Sequence, residues 1–268
     1  MTNVFKDNNE WLKLKTGIRQ LAIDEVLSRF TKVGSETKVD GSLLTEADTE
    51  MQLACENFLT TIWPEYSFLG EESTQAEQIS ALKSSQGSWV LDPVDGTSNF
   101  VSGIPVFSVS LALVVNQEVI IGIVYDPARD EMFAARKGLG AELNEIPLTG
   151  KTVKENLKTC IGIVDFKRLP FHLASKLIQE SPFASQRSIG SVALDWCWVA
   201  AGRGQVYCHG SQNLWDYIAG YLILKEAGGV SCTFDKTDVF APRVEKRSAI
   251  AATTPELFKE WQQYILKS

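Results

Sequence analysis

Trp11, Leu14, Ile18, Leu21, Ala22, Val26 and Phe30 recur mostly at three- and four-residue steps, which lays one apolar stripe along a helix. Thr45 opens a second predicted helix running to about Ile62, with Asp48 three residues on in a capping-box position. Trp63-Pro64 ends it, since proline disfavours a helical residue before it. The pattern then shortens. Tyr66–Leu69 reads as a strand running into Gly70-Glu71-Glu72, and the polar stretch Ser73–Gln86 as a loop or surface helix. Trp89-Val90-Leu91 reads as a buried strand that Asp92-Pro93-Val94-Asp95-Gly96-Thr97 breaks sharply. Phe107–Val115 and Val119–Tyr125, joined by Asn116-Gln117-Glu118, predict a hairpin that Glu131–Ala135 continues.

Gly138-Leu139-Gly140 and Pro147–Lys151 are rich in turn residues and suggest a boundary between two halves, residues 1–150 and 151–268, folded as one unit. The second half alternates. Ile161–Val164 and Gln205–Cys208 are strand-like, while Phe171–Gln179 and Ser191–Gly202 are helix-like. Trp215-Asp216 leads into a helix over Tyr217–Ala227, stopped by Gly228-Gly229. Two α/β halves packed together are the expected architecture.

Composition narrows the chemistry. The chain's 268 residues suffice for one large domain or two sharing an interface. The 26 basic and 33 acidic side chains give a net charge of −7, and no basic cluster offers a nucleic-acid backbone a footing. With only two histidines, His172 and His209, a histidine-rich metal site or relay is excluded, which leaves carboxylates to do the work. The five cysteines are odd in number and lack a C-x-x-C pair, so buried thiols in a reducing cytoplasm are expected. Met1–Glu10 is polar, without the apolar core of a signal peptide. The longest apolar runs fall far short of the roughly 20 residues of a membrane span.

Several motifs fail. Thr149-Gly150-Lys151-Thr152 looks like the end of a P-loop, but Glu145 stands where its first glycine is needed. Neither G-x-S-x-G, H-E-x-x-H nor G-x-G-x-x-G occurs. What remains are acids at element ends: Glu71, Glu72, Asp92, Asp95 and Asp216. Singly, each reads as a solvated loop charge or a helix cap. Together, Asp92 and Asp95 at a strand mouth, followed by Gly96-Thr97-Ser98 at a helix start, combine hard oxygen ligands with an anion cradle. Metal-assisted phosphoryl hydrolysis requires both.

At these residues the sequence resembles the inositol monophosphatase family of lithium-sensitive, magnesium-dependent phosphatases. The matching segments are Gly70-Glu71-Glu72, Trp89 through Phe100 around Asp92-Pro93-Val94-Asp95-Gly96-Thr97, Trp215-Asp216 through Gly220, and Glu226–Gly229. Thr45–Asp48 and Ser188–Ala193 match the family's early and late motifs. The resemblance implies a layered αβαβα sandwich (α/β, or α+β in some schemes), a homodimer, and two or three Mg²⁺ ions. Glu71, Asp92 and the Val94 carbonyl would hold the first ion, Asp92, Asp95 and Asp216 the second, and Glu71 a weaker third. Gly96 and Thr97 N–H groups would hold the phosphate. Thr97 and Asp48 would pair beside the attacking water, with Glu72 close by. Asp95, Gly190, Ser191, Val192, His209 and Asp216 would face the organic part of the substrate. Family members specific for inositol commonly have a glutamate where this chain has His209.

The implied activity is hydrolysis of inositol 1-phosphate by in-line attack of metal-activated water in the cytoplasm. The same chemistry on histidinol phosphate, fructose 1,6-bisphosphate or 3′-phosphoadenosine 5′-phosphate is the alternative. A regulatory or RNA-processing interaction role is the reading from a different class.

Overall fold

Asp7 accepts hydrogen bonds from the Asn9 and Glu10 N–H groups at 2.7 and 3.2 Å and so starts α1 (Asn8–Leu21). A computed structural model describes residues 4–32, 34–38, 43–149 and 156–266. After α1 the chain widens into a π turn over Ala22–Val26 and tightens again over Leu27–Arg29. The predicted stripe is buried throughout at Trp11, Leu14, Ile18, Ala22 and Val26, so packing outlasts the regular helix.

A hairpin of β1 (Ser35–Thr37) and β2 (Leu43–Thr45) precedes α2 (Glu46–Ile62). Then come β3 (Ser67–Gly70), α3 (Gln75–Leu82), β4 (Ser88–Asp95) and α4 (Thr97–Val101). A meander follows through β5 (Ser108–Val115), β6 (Glu118–Asp126), β7 (Glu131–Arg136), β8 (Ala141–Leu143) and β9 (Ile146–Pro147). These strands form one seven-stranded sheet in the order β3-β4-β5-β6-β7-β8-β9, antiparallel except for β3 beside β4. The predicted break at Asp92 does not end β4. The strand runs on to Asp95, and a register shift between Asp92 and Asp95 absorbs Pro93.

The second half comprises β10 (Ile161–Val164), α5 (Phe171–Glu180), β11 (Ser185–Arg187), α6 (Val192–Ala200) and β12 (Val206–Gln212). It finishes with α7 (Leu214–Glu226), β13 (Val230–Cys232), β14 (Arg247–Ala252) and α8 (Pro255–Leu266). Its five-stranded sheet runs β11-β10-β12-β14-β13, with β10 parallel to both neighbours. Part of the turn-rich stretch Pro147–Lys151, and the junction after residue 150, lie outside the described residues.

Both faces of both sheets are covered, which is why β5 reads as a nearly continuous apolar run interrupted only by Ser108 and Ser110. Leu111 and Leu113 of β5 pack with α1 and α2, while Ala112 and Val114 face α6 and α7. The far side of α6 and α7 meets Ile163, Tyr207 and Ala251 of the second sheet, whose outer face is closed by α5 and α8. The layers are therefore α1/α2, sheet, α6/α7, sheet and α5/α8. Caught between two sheets, α7 is apolar all round and buries Tyr217 through Leu224. All five cysteines are buried and free. Among the described residues no helix is long and apolar enough to cross a membrane.

The middle layer carries the stability of both sheets. Ile223→Ala in α7 should cost about 2–5 kcal/mol in urea unfolding. Ile178→Ala on the exposed side of α5 should change it by less than about 0.5 kcal/mol.

Candidate active site

Gly70 pairs with Leu91 across the parallel β3/β4 ladder, so Glu71 and Asp92 follow as neighbours where the strands open. The Glu71 N–H donates to the Leu91 carbonyl at 3.0 Å, and the Glu72 N–H to Gln52 Oε1 of α2 at 2.9 Å. Two adjacent acids are thereby held over the mouth of β4. Asp92, 2% exposed, accepts the Val94 N–H on Oδ1 at 3.1 Å.

Asp95 crosses between the two halves. Its carboxylate accepts the Val192 and Ala193 N–H groups at 3.2 and 2.8 Å, together with the Ser191 hydroxyl. Those donors form the start of α6, where exposed N–H groups and the helix dipole favour a negative charge. Gly96 then turns the chain at φ 97°, left-handed backbone that suits glycine. A Cβ there would also crowd the Val106 and Gly190 carbonyls at 3.0 and 3.2 Å. Asn99 reinforces the junction, donating from Nδ2 to the Val106 and Ile189 carbonyls at 2.9 Å each.

Asp216 sits in the first turn of α7 rather than ahead of it. Asn213 is the cap, and Asp216 Oδ2 accepts its N–H at 2.8 Å. Asp48 is held the same way in α2: its Oδ2 accepts the Thr45 N–H and hydroxyl at 2.8 and 2.6 Å. Its other oxygen, Oδ1, is buried with no hydrogen-bond partner among the described residues.

The electrostatics follow from burial and crowding. Burial pushes the Asp92 carboxyl well above the ordinary range, and the charges of Glu71, Asp95, Asp216 and Asp48 push it further. Asp216 is raised by burial and then by Asp95 and Glu71. Asp95 is raised to about 6, because burial outweighs its bonds to Ser191, Ala193 and Val192. Asp48 also rises to about 6, again chiefly by burial, against the two bonds from Thr45.

Lys38, at the end of the β1 strand, answers part of this charge. Its ammonium reaches Glu71 Oε1 at 2.9 Å and also bonds Glu72. Burial disfavours that ammonium, but the two glutamates outweigh it and hold its pKa above the usual lysine value. Among the described residues, no three His, Cys, Asp or Glu side chains close into a metal-holding group. Glu71 and Glu72 share Lys38, Asp95 faces α6, and Asp48 faces Thr45. The donor set nonetheless fits a hard divalent cation. It is all oxygen, Asp48, Asp92 and Asp95 are buried and Glu71 and Asp216 half-buried, its charges repel one another, and Asp48 Oδ1 has no partner among the described residues.

The structure thus gathers Asp48, Glu71, Asp92, Asp95 and Asp216 within mutual electrostatic reach, with Glu72 beside Asp48. Val94 and Thr97 meet each other: the Thr97 hydroxyl donates to the Val94 carbonyl at 3.0 Å. Thr97 and Asp48 each have a local partner and are not bonded to one another. Gly190, Ser191 and Val192 flank Asp95. His209 departs from the expected place. It is 2% exposed, its Nδ1 accepts the Ser211 N–H at 3.1 Å, and its Nε2 faces Asp165 Oδ2 at 3.2 Å, so neither ring nitrogen is left for a ligand. Sequence reasoning passes over Lys38, Asn99, Asp165 and Asp195. Asp195 carried a signal, being the one acid inside the apolar α6; its Oδ1 is buried and unpartnered.

A model of the inositol monophosphatase family matches residues 7–267. The chain is 38% identical to a Nus factor SuhB of Pasteurella multocida over 208 residues, 74% of each chain. It is 38% identical to inositol monophosphatase 1 of Solanum lycopersicum over 223 residues, 78% of each. Its fold matches an IMPase of Thermotoga maritima with a TM-score of 0.80 at 27% identity, covering 96% of this chain and 98% of that one.

Asp95, with its pKa of about 6 in the fold, keeps a proton between about pH 4 and 6 that an unfolded aspartate releases. In chelator-treated protein the wild type should therefore lose stability relative to Asp95→Asn as pH rises through that window. The relative loss between pH 4 and 7 should reach about 2–3 kcal/mol by urea unfolding. A pH-independent difference would contradict the assigned burial of charge.

Proposed function

The chain belongs to the inositol monophosphatase family, and from that membership we propose that it hydrolyses a phosphate monoester with Mg²⁺, inositol 1-phosphate first. One observation carries this reading: Asp92 is buried among Glu71, Asp95 and Asp216, an arrangement costly to the fold unless a cation offsets it. The same catalysis on histidinol phosphate, fructose 1,6-bisphosphate or 3′-phosphoadenosine 5′-phosphate is the alternative within this class.

In this reading Glu71, Asp92 and the Val94 carbonyl would hold one ion, and Asp92, Asp95 and Asp216 a second, with Glu71 available to a weaker third. Bound Mg²⁺ supplies a lowered pKa for water and positive charge against the phosphoryl oxygens. The remaining work falls to the chain. Thr97 gives its hydroxyl proton to the Val94 carbonyl, so toward a water it acts as an acceptor. Asp48 Oδ1 is a second free acceptor. These two acceptors would each accept a hydrogen bond from one O–H of a water and so aim its lone pair toward phosphorus. As the O–P bond forms, one of the two protons would leave the water, with Glu72 at hand to take it up, and the other would stay on the oxygen. The Gly96 and Thr97 N–H groups at the start of α4 hold the phosphate. Asp95 and Asp216 are both anchored through backbone N–H groups, which fixes them before any ligand arrives. A homodimer in the cytoplasm completes the proposal, in keeping with the free buried thiols.

The relatives named Nus factor SuhB favour a second reading, a regulatory interaction role. Phosphate release from a panel of monoesters, with and without Mg²⁺ and Li⁺, separates the two. Under the phosphatase reading, Asp92→Asn should cut Mg²⁺-dependent release on the order of 100-fold or more while leaving circular dichroism unchanged. Near-normal turnover in that variant would remove the metal assignment. A wild type without activity that retains a macromolecular partner in pull-downs would favour the regulatory role.

A further inference from the structure

Three parallel strands of the second sheet, β11, β10 and β12, open at one edge. Beyond β11 the chain reaches Gly190 and Ser191, which meet Asp95. Beyond β12 it reaches Asn213 and Asp216. Beyond β10 it reaches Asp165. Ligands in open α/β sheets bind outside the carboxyl ends of parallel strands, and two of these three ends already belong to the candidate site.

Asp165 is built into that edge. Val164 pairs with Cys208, so Asp165 and His209 are the next residues on adjacent strands. The carboxylate is 29% exposed, while His209 beside it is sealed in and stacked on Tyr207 with ring centroids 6.2 Å apart. Because Nδ1 of His209 accepts an amide proton, its own proton resides on Nε2 and is donated to Asp165 Oδ2. Oδ1 of Asp165 accepts the Lys167 N–H at 3.0 Å. The loop is seated closely on β12: a Cβ at Gly210 would fall 1.9 Å from the Arg168 carbonyl. Burial works against the charge on Asp165, and the His209 bond, Arg168 and the Lys167 N–H work for it. An ionised carboxylate can only accept hydrogen bonds, and each of its oxygens has a lone pair left.

We propose that Asp165 accepts a hydrogen bond from a hydroxyl on the organic part of the substrate, and that His209 is the positioning residue that aims it. The inference rests on the phosphatase reading and deepens it, selecting polyol phosphates over esters without a hydroxyl near the phosphate. The substrate contact expected at position 209 thereby moves to position 165, with the buried histidine behind it.

The test compares inositol 1-phosphate with p-nitrophenyl phosphate, which has no alcohol hydroxyl. Asp165→Asn keeps an oxygen for the Lys167 cap and removes the charge. It should raise KM for inositol 1-phosphate about 10- to 100-fold, as for loss of a bond to a charged acceptor, with kcat within about twofold. Both constants for p-nitrophenyl phosphate should stay within about twofold. His209→Phe, which keeps the ring but not the donor, should raise the same KM by a smaller factor, and His209→Gln, which can donate, should restore it. Equal losses on both substrates, or an unchanged KM for inositol 1-phosphate, would overturn the assignment of Asp165. A His209→Phe variant with wild-type constants would overturn the positioning role. A wild type that releases phosphate from neither ester in Mg²⁺ would overturn the phosphatase reading itself, and this inference with it.

Discussion

The Asp95 carboxylate at the start of α6 is the contact on which the site depends. It leaves the end of β4 in the first sheet and accepts three donors from Ser191, Val192 and Ala193 in the second half. Asp216, at the head of the neighbouring α7, lies within the field of Asp92 in this arrangement. The middle helices serve both purposes. Their apolar bodies fill the space between the sheets, and their N-terminal turns present polar groups to the carboxylates at its edge.

The consequence is an energetic conflict left in place. Asp92 and Asp95 are buried with Asp216 half-buried beside them; Asp95 and Asp216 raise Asp92, Asp95 raises Asp216, and Glu71 raises all three. A fold selected for stability alone would replace them with apolar residues of similar size. Lys38 relieves only Glu71 and Glu72, and it does so from a separate hairpin. Local rules are broken at the point where the chemistry is proposed, as expected when function and stability compete.

Much of this is legible from the chain, and what is not has identifiable causes. The stripe from Trp11 to Val26 is readable because one face is buried. Thr45 and Asp48 are readable because capping is local. The course of β4 through Asp92 is misread, since Pro93 and two acids look like a turn when a bulge in the ladder can absorb them. The start of α7 is placed late because Asp216 looks like a cap, whereas Asn213 is the cap and Asp216 its partner three residues on. Lys38 has no local signature, as its partners lie 33 and 34 residues downstream. Asp165 follows the apolar run Ile161–Val164 as Asp92 follows Trp89-Val90-Leu91, but without a second acid and a glycine after it, it cannot be told from a solvated charge in sequence.

The central claim is that the buried carboxylates form a site for a divalent cation. Calorimetric titration of chelator-treated protein with Mg²⁺ at pH 6, in two buffers of different ionisation enthalpy, tests it most directly. At that pH Asp48 and Asp95 each hold part of a proton, so binding should be accompanied by net proton release, seen as a buffer-dependent heat. No binding, or binding whose heat is the same in both buffers, would contradict it.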